Sequence, residues 1–330
     1  MASKIFGIDF GTDSIKICRK GAGLIYFQKT ILAVKNKKTV IAIGNEAFDM
    51  YGKVPEKIEI EFPIKGGVIT SIDKMLSLMN CIFLDLSKEY GKFRNSTFYA
   101  AVSADLTDIE KKAFYDVLDG SFINPKRIIL YDKPAVDALG CQLDYGETAG
   151  TMLVNIGSET TEISVLYSGS IVVSKLFKYG GHDIDEAIIN AVRRNFNILI
   201  GSKTAEQSKR RVVTLNEVDK KIRIYGRDIV SGLPKDCEIS SELLRSHVIE
   251  QFATLIEAIK SVLERTPPEI SAEIYKHGIW ITGGTAKIPG IVDLIEDGTG
   301  LKVHLAEDPT DTVINGLLDV MEGRYHLEQQ

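Results

Sequence analysis

One pattern occurs twice in this chain, at a spacing that constrains the fold more than any other feature. Ile5-Phe-Gly-Ile-Asp-Phe-Gly-Thr-Asp-Ser-Ile-Lys-Ile17 spells a strand, a tight polar turn and a second strand. The apolar run ends at Asp9, Gly11 and Thr12 turn the chain, and Ile15 and Ile17 resume strand alternation. The same grammar returns in Met152-Leu-Val-Asn-Ile-Gly-Ser-Glu-Thr-Thr-Glu-Ile-Ser-Val165, where Asn155 takes the place of Asp9 and Gly157 that of Gly11. A repeat period of about 146 residues is far beyond the 20 to 50 of a solenoid and is the length of a whole domain. The 330 residues therefore read as two duplicated α/β domains. The expected division is 1–145 and 146–330, with small inserted subdomains near 30–65 and 180–240. Two such turns related by a pseudo-twofold would face each other across a cleft suited to a small ligand.

Between the hairpins, strands alternate with helices, which places the chain in the α/β class. Helical spacing of Met75, Leu78, Met79, Ile82, Phe83 and Leu86 predicts a helix over 71–90. Further helices are predicted over 108–118, 183–196, 204–210 and 240–265, the last stopped by Pro267-Pro268. Strands are predicted over 96–102, 127–131 and 279–282, while 214–229 reads as polar and strand-like.

Composition removes several function classes. A net charge of −5 argues against a broad basic surface for nucleic acid. Cys18, Cys81, Cys141 and Cys237 lie far apart, without metal-ligand spacing, and read as reduced thiols of a cytoplasmic protein. No apolar run approaches the roughly 18 residues of a membrane span, and Met1–Gly7 is too short for a signal peptide.

Three segments carry the chemistry. Asp9-Phe-Gly-Thr-Asp-Ser14 sets a carboxylate at a strand end beside a turn rich in N–H groups and hydroxyls, a pattern that suits an anion and a magnesium water shell. Gly157-Ser-Glu-Thr-Thr161 offers a second such cluster. Gly278-Ile-Trp-Ile-Thr-Gly-Gly-Thr285 runs a strand into two glycines, where backbone can approach a flat or anionic ligand. Neither GxGxxG nor GxxxxGK[ST] is present, so a dinucleotide fingerprint and a P-loop are not supported.

In this order, the three segments resemble the first phosphate, second phosphate and adenosine loops of the actin-like ATPase superfamily. Within it the chain is similar to the MreB family of bacterial actin homologues over nearly its whole length. Phe62–Ile69, Gly180–Asn195, Thr204–Lys209, Pro267–Ile270 and Ala306–Pro309 carry the likeness further. The resemblance implies an actin-like fold of four subdomains that binds ATP or ADP with Mg2+ and assembles head to tail. It implies that Asp9 holds the magnesium-bound water and that Gly11, Thr12, Asp13 and Ser14 touch phosphates. By the same likeness Asn155, Gly157, Ser158, Glu159 and Thr160 lie on the γ-phosphate side. Glu206 and Lys209 would bracket the ribose, and Gly283, Gly284 and Thr285 would follow the adenosine and α-phosphate.

Departures from the family fall where hydrolysis should occur. Asn155 stands where the family has Asp, and Ser158 and Glu159 replace glycines. Lys133, just before Pro134, replaces the glutamate that positions the hydrolytic water together with Thr160. An ammonium offers donors but no acceptor, so slow hydrolysis is expected, with Lys133 in a structural ion pair for which Asp73 is one candidate carboxylate. Family members often contact the inner membrane face. Met1–Lys4 leads straight into a strand with no amphipathic helix, leaving the Glu89–Asn95 loop, with Tyr90 and Phe93, as the candidate lipid contact. Three function classes remain open: a cytoskeletal polymer acting with other cell-shape proteins, a small-molecule kinase of the same superfamily, and a chaperone-like ATPase.

Overall fold

The computed structural model describes residues 4–325 and 327; the expectation for Met1–Ser3 lies outside them. The chain divides into two compact units. One holds the described residues up to 148, with 166–176 and those from 310 onward; the other holds 149–165 and 177–309. A single cut at 145/146 thus fails to describe the C-terminal segment, which is built into the first unit.

The first unit's sheet has the order Arg127–Asp132, Thr97–Val102, Ile5–Phe10, Ser14–Arg19, Gly23–Lys29. Its first three strands are parallel, and the last three form an antiparallel meander. Strand alternation gives it two cores. Phe6, Ile8, Phe98 and Ala100 point toward helix Ile72–Tyr90 and helix Asp108–Asp119, with Met79, Phe83 and Phe114. Their neighbours Tyr99, Ala101, Ile129 and Tyr131 point the other way, onto helices Lys133–Gly140 and Thr312–Glu322. Those two helices cross with almost no space between backbones: a Cβ on Gly140 would strike the Thr312 carbonyl, and one on Gly316 the Val136 carbonyl. A small three-stranded sheet (Thr39–Ile43, Leu32–Lys35, Ile58–Glu61) with helix Gly44–Met50 packs its own core of Ile31, Ala33, Ala42 and Ala47.

The second five-stranded sheet has the order Ser170–Phe177, Thr161–Tyr167, Thr151–Ile156, Ile279–Thr282, Val303–Leu305, of which 151–165, 279–282 and 303–305 belong to the second unit. Helices Gly181–Phe196, Ser202–Val212 and Ser241–Arg265 follow the hairpin, and Ile198–Leu199, Lys221–Asp228 and Pro234–Ser240 make a small sheet. The Pro-Pro pair does more than stop the long helix. Pro268 opens another, Pro268–His277, because the first turn needs no N–H from proline and favours its fixed φ. Among the described residues no helix is long and apolar enough to cross a membrane.

Candidate functional site

Each unit presents a turn at the carboxyl end of its first strand. In the first, Gly11 lies so close to the Ser14 carbonyl that a Cβ would collide with it. Thr30, just past strand Gly23–Lys29, fixes the turn: its N–H donates to the Asp13 carbonyl at 2.9 Å and its hydroxyl to the Gly11 carbonyl at 2.7 Å. The Asp13 side chain, 42 % exposed, is paired on one side with Lys29, whose Nζ meets its Oδ1 at 2.6 Å.

Asp9 ends the central strand, in register with Ala101 and, one strand further, Tyr131. Lys133 therefore starts its helix just past the sheet edge, two strands from Asp9, roughly 10 Å at backbone level. A long side chain spans that gap, and Lys133 Nζ lies 3.1 Å from Asp9 Oδ1. Both side chains are largely withdrawn from water, at 19 % and 12 % exposure. The ion pair that the structure gives Lys133 is thus with Asp9 and not with the expected Asp73, which lies in the first turn of helix Ile72–Tyr90. The family resemblance sets Asp9 at the magnesium-bound water and Lys133 at the position of the hydrolytic glutamate, so the sequence carries a signal that the two lie near one centre. What it lacked was the strand order that brings them together.

A further lysine flanks Asp9. Lys16 is its cross-strand neighbour, 3 % exposed, and its ammonium pairs with Asp311 at 2.9 Å and donates to the Thr310 carbonyl. At the end of edge strand Arg127–Asp132, Asp132 is held by Lys111 at 2.9 Å.

The second turn is built from backbone. Gly157 sits beneath the Thr160 carbonyl as Gly11 sits beneath that of Ser14. Its own carbonyl accepts from the Gly181 N–H at 3.0 Å and from the Thr285 hydroxyl at 2.7 Å. The Ser158 carbonyl takes the His182 N–H at 2.6 Å, so two orphan N–H groups of helix Gly181–Phe196 are satisfied by the loop. Asn155 is paired in register with Thr282, the residue before Gly283-Gly284. Gly283 has φ +85°, and a Cβ there would strike the Ile156 carbonyl; Gly284 has open space. The structure thus brings Gly157 and Thr285 into direct contact, with Gly283 against Ile156, and adds Gly180 and Gly181, which the expected site lacked, as their support.

Glu206 and Lys209 share helix Ser202–Val212 but have different partners. Glu206 Oε1 accepts from Arg210 at 2.5 Å. Lys209 Nζ donates to the Gly181 carbonyl at 2.6 Å and to Asp185 Oδ2 at 2.8 Å. Burial raises the Asp185 carboxyl above its ordinary value, against the opposing pull of Lys209. Asp185, on helix Gly181–Phe196, is not among the expected site residues.

The lipid contact is overturned at Phe93. It is 2 % exposed, with its ring 4.6 Å from that of Phe6 and 5.4 Å from that of Phe83. Tyr90 packs partly buried against the same core, and Lys4 Nζ ties the loop down through the Tyr90 and Lys92 carbonyls. The four cysteines are free thiols.

The profile described as MreB/Mbl protein matches residues 3–329. The chain belongs to the MreB/Mbl family. It is 34 % identical to the cell shape-determining protein Mbl of Bacillus subtilis over 98 % of each chain, and 30 % identical to the cell shape-determining protein MreB of Escherichia coli over 96 % of this chain and 92 % of that one. Its structure matches MreB5 of Spiroplasma citri bound to AMPPNP with TM-score 0.92 and 31 % identity, over 98 % of this chain and 97 % of that one. MamK, solved as a double helical filament, shares the fold at TM-score 0.77 and 18 % identity. The expected actin-like fold is thus established, and with it membership of a cytoskeletal, cell-shape family.

The MreB/Mbl resemblance implies magnesium at Asp9, and the donor set does not suit it. Asp9 is ion-paired with Lys133, and the turn's other carboxylate, Asp13, with Lys29. Asn155 supplies an amide in the repeat, a weaker donor to a divalent ion than a carboxylate.

Proposed function

We propose that this MreB/Mbl protein is a cytoskeletal subunit that binds ATP or ADP, assembles head to tail into filaments that set bacterial cell shape or motility, and hydrolyses its nucleotide slowly if at all. Nucleotide binding is supported by the MreB5 structures, described as bound to AMPPNP and to ADP. Self-association is supported by the family and by the filament formed by MamK. In this reading the first unit gives Gly11, Thr12 and Ser14 to the phosphates. The second gives Gly157, Ser158, Glu159 and Thr160 to the γ-phosphate side, Glu206 and Lys209 to the ribose, and Gly283, Gly284 and Thr285 to the adenosine.

The observation that carries slow hydrolysis is the 3.1 Å approach of Lys133 to Asp9. A water is activated by an acceptor, and Lys133 presents only donors, turned toward a carboxylate. Binding of nucleotide needs no base, so assembly and hydrolysis separate in this chain. Phosphate release measured alongside sedimentation tests this: ATP should promote pelleting while phosphate stays near background. Release at the rate of an MreB that keeps the glutamate would sink the reading.

A further inference from the structure

We propose that this chain binds its nucleotide without a divalent cation, the Lys133 ammonium supplying beside Asp9 the positive charge that Mg2+ would otherwise bring. The inference rests on the nucleotide-binding reading and goes beyond it in naming the ligand as a metal-free nucleoside di- or triphosphate.

Three independent observations converge. Three carboxylates of the first unit are each matched by a lysine: Asp9 by Lys133, Asp13 by Lys29 and Asp311 by Lys16, at 3.1, 2.6 and 2.9 Å. A divalent ion prefers anionic oxygen donors, or waters hydrogen-bonded to them, and the face of Asp9 that would hold such a water meets an ammonium. Asp9 Oδ1 is buried and has no aligned hydrogen bond, so its compensation is electrostatic and comes from Lys133.

The second observation is the position of Lys133 in its helix. It is the first residue of Lys133–Gly140, whose first turn carries no acidic side chain. A cation there is opposed by the helix dipole, which favours an anion at that end. Helix formation thus does not account for a lysine at this place. The ammonium, which offsets the charge of Asp9, stands beside the N-terminal N–H groups of this helix, and those favour an anion. The third is Asn155: where the first copy of the turn has a carboxylate, the second has a neutral amide. An amide repels no phosphate and attracts a divalent ion weakly.

The test is equilibrium titration of the full chain with a fluorescent ADP analogue, in excess Mg2+ and in excess EDTA. Wild type is expected to give dissociation constants that agree within about threefold. Lys133→Glu recreates paired carboxylates and should bind at least about tenfold more weakly in EDTA than in Mg2+. Lys133→Met, which keeps the stem and removes the charge, should lose affinity in EDTA by a similar factor; circular dichroism establishes that each variant is folded. An independent readout is Mn2+ water-proton relaxation with ADP present, expected to be enhanced for Lys133→Glu and not for wild type. Wild-type affinity that collapses about tenfold in EDTA, with Mn2+ bound in the ternary complex, overturns the proposal and leaves nucleotide binding standing. Failure to bind in either buffer overturns both readings.

Discussion

In the first turn Gly11 lies beneath the carbonyl of Ser14, and in the second Gly157 lies beneath that of Thr160. The duplicated backbone is the same, and what surrounds it is not. The first turn is braced by side-chain charge, with Lys29, Lys133 and Lys16 each committed to a carboxylate. The second is braced by main chain, with Gly157, Gly181 and Thr285 joined through one carbonyl and Gly283 pressed against Ile156. A charged brace can change chemistry by one substitution without moving the chain, and a backbone brace cannot. Lys133 belongs to the former kind of feature, a single side chain set against Asp9, whereas Gly11 and Gly157 hold the two turns through backbone alone.

The contrast is broken most severely by Gly283→Ala. With a positive φ and a carbonyl in the path of the new methyl, it should cost about 3 kcal/mol, read as an early unfolding transition in denaturant and loss of nucleotide binding. Unchanged unfolding would mean that the second turn is not held by backbone contact. Next is Lys133→Glu, which should raise phosphate release by at least about tenfold, or about 1.4 kcal/mol in the barrier, with a much smaller shift in melting. Release that stays flat would place the hydrolytic defect in Asn155 or in Ser158 and Glu159.

A smaller effect is expected from pH at Asp185. Burial raises its carboxyl above the ordinary 3.8, so the folded state holds the proton more tightly than the unfolded one. Its contribution to stability is therefore complete below 3.8 and fades as pH rises through the raised value. Asp185→Asn should flatten that part of the pH–stability curve, compared by thermal melts from about pH 4 to 7; parallel curves for the two proteins would count against it. The smallest effect belongs to Gly284→Ala, where nothing lies within 4 Å of the new methyl. Melting should change by less than about 0.5 kcal/mol, so that any loss of nucleotide affinity reports on ligand approach alone.

Much of this arrangement was legible from residue order. Strand, turn and strand around Asp9 and Asn155 followed from local pattern, and the anomaly at Lys133 was visible against the family. What pattern could not supply was partnership at long range. Lys133 and Asp9 are separated by 124 residues and become neighbours only through parallel strand order. Lys16 and Asp311 are further apart still. Phe93 misled for a different reason: an aromatic in a polar loop reads as exposed, yet Lys4 draws that loop down until its ring joins Phe6 and Phe83. Pro267-Pro268 was read as a stop because interior proline breaks a helix, while the same residue at the first turn begins one.

The crossing of helices Lys133–Gly140 and Thr312–Glu322 has a consequence for how the protein is made. The partner that Gly140 and Val136 require is encoded after the whole of the second unit. A ribosome delivers the chain from its N-terminus, so the first unit emerges early and waits with one face of its sheet incompletely covered. Ile129, Val136 and Leu139 stay short of their full packing until Ile314 and Leu317 arrive. Maturation of the two units is therefore interleaved in time, and the segment synthesised late closes the unit begun first.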